Sequence, residues 1–235
     1  MRTLVFVGSL ICVAACCAQD GVEKTRYLRP AGKAFVFECE FALKKTKTGS
    51  SIESVTQRGK LKLSISARYD ERDLLTAADA ILVNEDKKKT ATVTVAAGKA
   101  KIERAGQAAQ EFDVPQGVIV TSAPDWTDTF LLCRRYDRKL GGKQSFPGLW
   151  IHVEQPSQLL TFAIERNGAD TIDHAGKKLT LDRCTIWLRG NSMYAAWMDD
   201  AGRMIKLVPL PYKEGALNWL VLDGYENSTA ELRPR

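Results

Sequence analysis

The side chains that could carry out catalysis are few, and their spacing matches no catalytic arrangement that we recognise. The two histidines, His152 and His174, lie outside any metal-binding spacing such as H-E-x-x-H. Asp173 precedes His174, but no G-x-S-x-G elbow supplies the serine that a hydrolase triad would need. We expect His152 to face solvent from a strand and His174 to lie at a hairpin turn. The sequence therefore predicts no catalytic residue, no metal site and no cofactor.

Carboxylates occur in two patterns that could support acid–base chemistry. Asp199 and Asp200 are adjacent, and paired carboxylates hydrolyse glycosides when they flank the bond to be cleaved. The stretch Asp-Asp-Ala-Gly is more typical of a turn, and it stands between two runs of hairpin length. Glu38 and Glu40 alternate with aromatic residues, which predicts that both face solvent from a strand.

Five tryptophans fall in predicted elements, and aromatic side chains line many small-molecule sites. Most of these aromatic residues should belong to the core, whereas a minority could line a groove for a lipid or a sugar. As ligand-binding candidates the sequence offers Trp126, Phe130, Trp150 and Trp197. The partner expected there is a lipid or another hydrophobic ligand.

The amino terminus is typical of an export signal. In residues 1–18, Arg2 precedes an apolar run over residues 4–15, and small residues that suit cleavage follow. Cleavage after Ala18 would release a soluble protein, whereas residues 13–16 resemble a bacterial lipobox, which would place a lipid on Cys16. Either route predicts an extracytoplasmic location, periplasmic or secreted. No later segment approaches the ~20 apolar residues of a transmembrane helix, so we expect none in the mature chain.

Composition excludes several classes of protein. The chain has 235 residues, of which 45% are hydrophobic and 26% charged, as in an ordinary globular protein. The formal charge of +6 is spread over both signs, and the lysines at 87–89 are typical of a solvated loop, so we expect no nucleic-acid partner. After the signal, Cys39, Cys133 and Cys184 are expected to be half-buried small apolar side chains, with one disulfide bridge left open as an alternative.

Alternating apolar and polar residues indicate strands along most of the chain. Residues 19–33 are polar and resemble a tether, and we expect residues 34–235 to form a single β-rich domain. At 34–43 four apolar side chains alternate with polar ones, which is the period of a half-buried strand. Further strands are predicted within 52–68 and 92–95, and at 149–153, 159–166, 178–188, 192–198, 203–208 and 217–222.

Two segments have helical spacing instead. At 122–142, Ser122 and Asp125 have capping-box spacing, an apolar face follows, and basic residues lead to a pair of glycines that would end the helix. At 70–83 the spacing is also helical, although 81–83 could equally start a strand. The expected fold class is mainly β (α+β): one curved antiparallel sheet or unclosed half-barrel with one or two helices packed on its concave face. A gap between helix and sheet would be an apolar pocket.

Residues 122–128 with 134–137, and the closing stretch 196–207, carry a family resemblance. A signal peptide followed by a β-rich domain with these stretches resembles uncharacterised exported proteins of bacterial envelopes. The closing stretch, an aromatic residue, an acidic turn and Gly-Arg before an apolar strand, is similar to late hairpins of periplasmic lipoprotein carriers. That resemblance implies an unclosed half-barrel with helices on its concave face, and it implies no catalytic and no ligand residue.

Three functions are compatible with these features. The first is an exported, non-enzymatic envelope protein that binds or carries an apolar or amphiphilic ligand, because strands and a helix are plentiful while reactive groups are few. The second is a structural or protein-interaction module of the cell surface, with an envelope protein as its partner. The third is a hydrolase of envelope polymers.

Overall fold

A computed structural model describes residues 21–85, 87–123, 125–213 and 218–234. Within these residues the strands of one large open sheet dominate, and a single helix accompanies them. The expected fold class is therefore confirmed, with one helix rather than two. The expected signal peptide at 1–18 and the lipidation site Cys16 lie outside the described residues.

The first half of the chain forms a meander of eight strands. The bounds are β1 (Val22–Ala31), β2 (Ala34–Thr46), β3 (Gly49–Arg58), β4 (Leu61–Asp70), β5 (Leu75–Asn84), β6 (Lys87–Ala96), β7 (Lys99–Arg104) and β8 (Gln110–Asp113). Each strand pairs antiparallel with the next one along the chain, so β1 and β8 lie at opposite ends of this half.

The second half forms a similar meander with the helix inserted near its start. The bounds are β9 (Ile119–Thr121), α1 (Thr127–Arg135), β10 (Lys143–Trp150), β11 (Gln158–His174), β12 (Lys177–Leu188), β13 (Asn191–Met198), β14 (Met204–Pro209) and β15 (Leu220–Leu222). The neighbours pair antiparallel, except that β9 and β10 are parallel.

Strands β1 and β15 join the two meanders into one sheet. Tyr27 pairs with Leu222 and Leu28 with Val221, in antiparallel register. The strand order therefore runs from β8 to β1 and then from β15 back to β9. The first and last described strands of the chain are neighbours in the middle of the sheet.

The far ends of the sheet approach each other through the side chain of Arg104 in β7. Its Nη1 donates to the carbonyls of His152 (3.1 Å) and Gln155 (2.8 Å) and to the Ser157 hydroxyl (3.2 Å), all in the loop between β10 and β11. Arg104 is only 8% exposed, so these charge-assisted bonds lie in a largely dry setting. The curled sheet consequently encloses its concave side.

Helix α1 fills much of that concave side. It packs against β9, β11 and β14, and its Phe130 ring stacks on Phe41 of β2 with 4.7 Å between ring centroids. Both rings are fully buried. Losing a buried phenylalanine ring costs about 3–5 kcal/mol, so this stack is a principal contact between the helix and the first meander.

The hairpin turn expected at 199–202 is confirmed, and it holds the end of the helix. The Asp199 carboxylate accepts the backbone N–H of Arg203 (2.8 Å), and Arg134 donates to the carbonyl of Ala201 (2.8 Å). Gly202 has φ +73°, and a Cβ there would lie 2.9 Å from the carbonyl oxygen of Cys133. Glycine is therefore required where this turn meets the helix.

The tether expected at 19–33 is wrong for residues 22–31, which form β1. Tyr27 is fully buried and its hydroxyl donates to the carbonyl of Met204 (2.8 Å). Exposed Lys24 and Arg26 alternate with buried Thr25 and Tyr27 along this strand. The polar residues that suggested a tether therefore belong to both faces of a strand that is half-buried.

The helix expected at 70–83 is also wrong, because residues 75–84 form β5. Ala78 and Ala80 point into the core, and β5 pairs along its length with β4 and β6. Before it, Asp70 accepts the backbone N–H groups of Arg72 and Leu74 (both 2.9 Å) and so forms a turn. Pairing with strands on both sides outweighs the local helical spacing.

Helix α1 is shorter than the 122–142 expected. It begins at Thr127 after the N-cap Trp126, whose side chain makes no capping bond, and it ends at Arg135. Ser122 is not the N-cap, because its carbonyl instead accepts the N–H of Asp125 (2.8 Å) in a turn. The helix thus starts one turn later than the capping-box spacing predicted.

Candidate ligand-binding cavity

A cavity of about 230 Å³ lies where the two meanders face each other across the concave side. The segment that leads into α1 covers it, β3 borders it on one side, and β9 to β13 border it on the other. Its apolar wall consists of Trp126, Trp150, Phe162, Ile186, Leu188, Met193 and Tyr194. Its polar side chains include Arg58, Asp125 and Asp128, and exposed Ala123 marks the solvent side.

Trp126 forms one corner of the cavity. Its ring meets Tyr194 edge to face, with 5.6 Å between the ring centroids and 75° between the planes. The Arg58 guanidinium lies 5.4 Å from the centroid of the Trp126 ring, and the indole N–H points to the Glu38 carboxylate at 3.4 Å. These three contacts fix the tryptophan at the start of the helix.

Glu38 holds this corner together from inside the sheet, so its expected solvent-facing position is wrong. Its side chain is fully buried, and it forms ion pairs with Arg29 (2.9 Å) and with Arg58. The reason is a β-bulge: Tyr27 pairs with Cys39 while Leu28 pairs with Phe37, which leaves Glu38 as an extra residue. An extra residue reverses the in–out alternation, so Glu38 turns inward beside Cys39.

Asp125 anchors the cover of the cavity to β3. Its carboxylate accepts hydrogen bonds from Ser54 (3.0 Å), Thr56 (3.1 Å) and the Thr127 N–H (2.9 Å), and the Thr127 hydroxyl also donates to it. Burial raises the pKa of Asp125, and the bonds from Thr127 and Ser54 counteract part of that shift. This carboxylate is fully engaged and serves as a structural clasp.

Asp128 lies one helical turn further on and is engaged far less. Within the described residues its carboxylate accepts one hydrogen bond, from the backbone N–H of Thr129 (2.7 Å). Burial raises the pKa of Asp128 to about 7, and the charge of Asp125 acts in the same direction. Across the cavity, burial raises the pKa of Tyr194 to about 12, and the Asp128 charge adds to that shift.

Trp150 contributes an unsatisfied donor to the wall. Its indole nitrogen is inaccessible to solvent and has no hydrogen-bond acceptor among the described residues. The adjacent Phe162 ring occupies space that only a glycine at position 148 leaves open, because a Cβ at Gly148 would overlap the ring. Gly148 thus allows the wall of the cavity to form.

The structure brings two of the four predicted ligand-binding residues together. Trp126 and Trp150 both line the cavity, whereas Phe130 and Trp197 do not. Phe130 stacks in the core, and the fully buried Trp197 donates its indole N–H to Asp170 (2.8 Å). Asp128 and Tyr194 were missed, although Asp128 stands three residues after Asp125 at the start of the predicted helix.

The remaining reactive side chains lie elsewhere. His152 Nδ1 accepts the backbone N–H of Gln155 (3.2 Å), and His174 stacks on Tyr225 with 3.9 Å between centroids. Three cysteines are buried free thiols, and burial raises their pKa values: Cys39, Cys133 and Cys184. Across residues 21–85, 87–123, 125–213 and 218–234, no three His, Cys, Asp or Glu side chains are grouped as a metal site would require.

Comparisons with known proteins find no family and two distantly similar solved structures. No protein-family model matches the sequence, and no curated protein matches it at a significant level. A β-barrel-like protein of Brucella abortus, from the domain of unknown function DUF1849, is similar at 7% identity and a TM-score of 0.46, covering 86% of this chain and 93% of that chain. A DUF1089 family protein from Pseudomonas aeruginosa is similar at 16% identity and a TM-score of 0.42, covering 91% and 100%.

Among the residues that the structure describes, no helix is long and apolar enough to cross a bilayer.

Proposed function

We propose that the protein binds an apolar or amphiphilic ligand, and that the apolar end of this ligand enters the cavity beneath the start of α1. The observation that supports this proposal most directly is the composition of the cavity. Aromatic and aliphatic side chains form most of its wall, and a few polar groups stand at one side. Small-molecule sites have this arrangement, because burial supplies affinity and the polar groups supply orientation.

The volume of the cavity limits what can enter. About 230 Å³ is less than the ~300–1,000 Å³ of sites that enclose a drug-sized molecule. A ring or a short stretch of acyl chain fits, and the rest of an amphiphile would remain at the solvent side near Ala123.

The proposal includes an extracytoplasmic location. It rests on the export signal in residues 1–18, with release after Ala18 and lipidation of Cys16 as the two routes. An exported protein that holds the apolar part of an amphiphile would act as a carrier or binding protein in the cell envelope.

A titration tests binding directly. We expect 1-decanol, followed by calorimetry, to bind the wild-type protein, and Met193→Phe to weaken this binding by about tenfold or more because the ring fills the cavity. Leu140→Phe is the matched control, because Leu140 is 75% exposed and lies outside the cavity. Absence of binding to the wild-type protein, or equal binding to Met193→Phe, would contradict the proposal.

Hydrolysis of an envelope polymer is a second candidate, and one observation favours it: two carboxyl groups with raised pKa values, Asp125 and Asp128, border one cavity. The arrangement favours binding more strongly. Asp125 is held by three side chains and is 8% exposed, so Asp128 would have to act without a second carboxylate. Turnover of a glycan or peptidoglycan fragment that Asp128→Asn abolishes would establish the hydrolase.

A further inference from the structure

We propose that the polar side of this cavity recognises a cationic group, an ammonium on the ligand, through the Asp128 carboxylate and the aromatic faces of Trp126, Tyr194 and Trp150. This inference rests on the proposed binding function and names the chemical class of its ligand. The inference is drawn from the carboxylate of Asp128, which forms no ion pair among the described residues, and from the aromatic rings that line the same cavity.

The first observation is that Asp128 has no cationic partner. None of the ion pairs in the described part of the chain involves it, whereas the nearby Glu38 has Arg29 and Arg58. A carboxylate in a confined space gains most from a counter-ion, because little water is present to solvate it. Burial raises the pKa of Asp128 to about 7, so its charged form is the one that a counter-ion would favour.

The second observation is the geometry of the aromatic wall. Trp126 and Tyr194 meet at 75° and so form two sides of a corner, and Trp150 belongs to the same lining. A cation is attracted to the face of an aromatic ring within about 6 Å of its centroid. Aromatic rings around one acidic group form the arrangement that proteins use to bind quaternary ammonium groups.

Arg58 also lines the cavity, and it is the group that an anionic ligand would seek. Its guanidinium is already paired with the fully buried Glu38 and lies over the ring of Trp126. An anion would therefore have to compete with Glu38 for Arg58, whereas a cation would find Asp128 unpaired. The observations favour the cation.

The expected pH dependence follows from the groups that face Asp128. These are Asp125 on its own segment, Tyr194 of β13 and Arg58 of β3. Tyr194, whose pKa burial raises to about 12, stays protonated near neutrality, and Asp125 is held in its hydrogen bonds. Deprotonation of Asp128 between about pH 6 and pH 8 should therefore strengthen binding of a cation and leave binding of an uncharged ligand unchanged.

Three probes of similar size separate these effects: phenyltrimethylammonium, its uncharged isostere tert-butylbenzene, and the anion benzenesulfonate. We expect the wild-type protein to bind the ammonium about tenfold more tightly than the isostere at pH 8, and to lose most of this preference at pH 6. In Asp128→Asn the preference should disappear at both values while binding of tert-butylbenzene persists. Asp113→Asn is the matched control, because its side chain is 90% exposed and remote from the cavity.

The outcomes distinguish the two proposals. Equal binding of the ammonium and tert-butylbenzene, or an unchanged preference in Asp128→Asn, would overturn the cation inference and leave the binding function standing. Tighter binding of benzenesulfonate would also overturn it and would assign the polar side to Arg58. Failure of all three probes would overturn the inference together with the binding function.

Discussion

Lys206 and Asp128 are charged side chains in the interior of the same molecule, and the fold treats them differently. Lys206 in β14 is 2% exposed, and its ammonium donates to the carbonyls of Thr229 (2.7 Å) and Leu232 (3.1 Å). The ring of Trp219 lies 4.5 Å from the same nitrogen. Asp128 has one backbone hydrogen bond and borders a cavity. Burial disfavours both charges, because it lowers the pKa of Lys206 to about 8 and raises the pKa of Asp128 to about 7. The fold compensates the charge of Lys206 with two hydrogen bonds and a nearby ring, whereas the carboxylate of Asp128 accepts one backbone hydrogen bond.

The two regions differ in which backbone groups need a hydrogen-bond partner: carbonyls beside Lys206, and N–H groups at the start of α1. Beyond β15 the chain runs through turns, so carbonyls such as those of Thr229 and Leu232 have no strand beside them. Lys206 satisfies them and ties this segment to the sheet. At the start of α1 the Asp125 carboxylate accepts the Thr127 N–H and the Asp128 carboxylate accepts the Thr129 N–H. Asp125 is also bonded to two side chains of β3, whereas Asp128 has only the backbone bond among the described residues.

The largest expected effect on stability is at Lys206. Lys206→Met keeps the length of the aliphatic stem but removes two charge-assisted hydrogen bonds to buried carbonyls, which should lower the free energy of unfolding by about 2–3 kcal/mol. Denaturant unfolding measures this. Lys177→Met, on an exposed lysine of β12, is the control and should change stability by less than about 0.5 kcal/mol. Equal effects of the two variants would remove the contrast drawn between Lys206 and Asp128.

The next largest effect is at Asp128, where substitution should raise the stability of the protein by an amount that depends on pH. The folded state holds the Asp128 proton up to about pH 7, whereas the unfolded chain releases it near its usual value of 3.8. The folded state therefore binds more protons between these values, and this group lowers the stability of the protein as pH rises through that window.

Asp128→Asn removes this penalty. Because the carboxyl is partly exposed, we expect a gain of about 1–2 kcal/mol at pH 8 and none at pH 4. Thermal unfolding at both pH values, with Asp113→Asn as the unresponsive reference, provides the measurement. A loss of stability at pH 8 would mean that Asp128 has a structural partner after all.

The smallest expected effect is the difference in stability between variants of two tryptophans, one whose indole N–H is hydrogen-bonded and one whose N–H is not. The Trp197 N–H donates to Asp170, whereas the Trp150 N–H has no acceptor in the described part of the chain. Trp197→Phe should therefore cost about 1 kcal/mol more than Trp150→Phe, since only the first removes a hydrogen bond. Chemical denaturation of both variants decides this, and a larger loss in Trp150→Phe would reverse the assignment.

Local patterns in the sequence predicted much of the fold and part of the cavity. Alternation indicated most strands, and the Asp-Asp-Ala-Gly turn lies between β13 and β14 as expected. Trp126 and Trp150 were selected for their chemistry, and both line the cavity. Residues 75–84 show the limit of such patterns, because their pairing with β4 and β6 overrides helical spacing that a single segment displays.

The rest depends on contacts between distant segments. The bulge that turns Glu38 inward exists only in the pairing of β1 with β2, and alternation within β2 predicts the opposite side. Phe130 and Trp197 have the same apolar chemistry as the lining residues, so only packing separates core from cavity. Asp128 borders the cavity together with residues from β3 and from β9 to β13, and no spacing within its own segment predicts those neighbours.

The pairing of β1 with β15 has a consequence for how the protein is made. The partner of Tyr27 is Leu222, which the ribosome adds only after all of the strands β1 to β14. Until then β1 presents free backbone groups on one side, which is a template for association with another chain. Contacts so distant in sequence also slow folding, since a long loop must close before any of them forms. Synthesis of β15, rather than growth of the sheet from β1 alone, is therefore the event that lets this sheet reach its final arrangement.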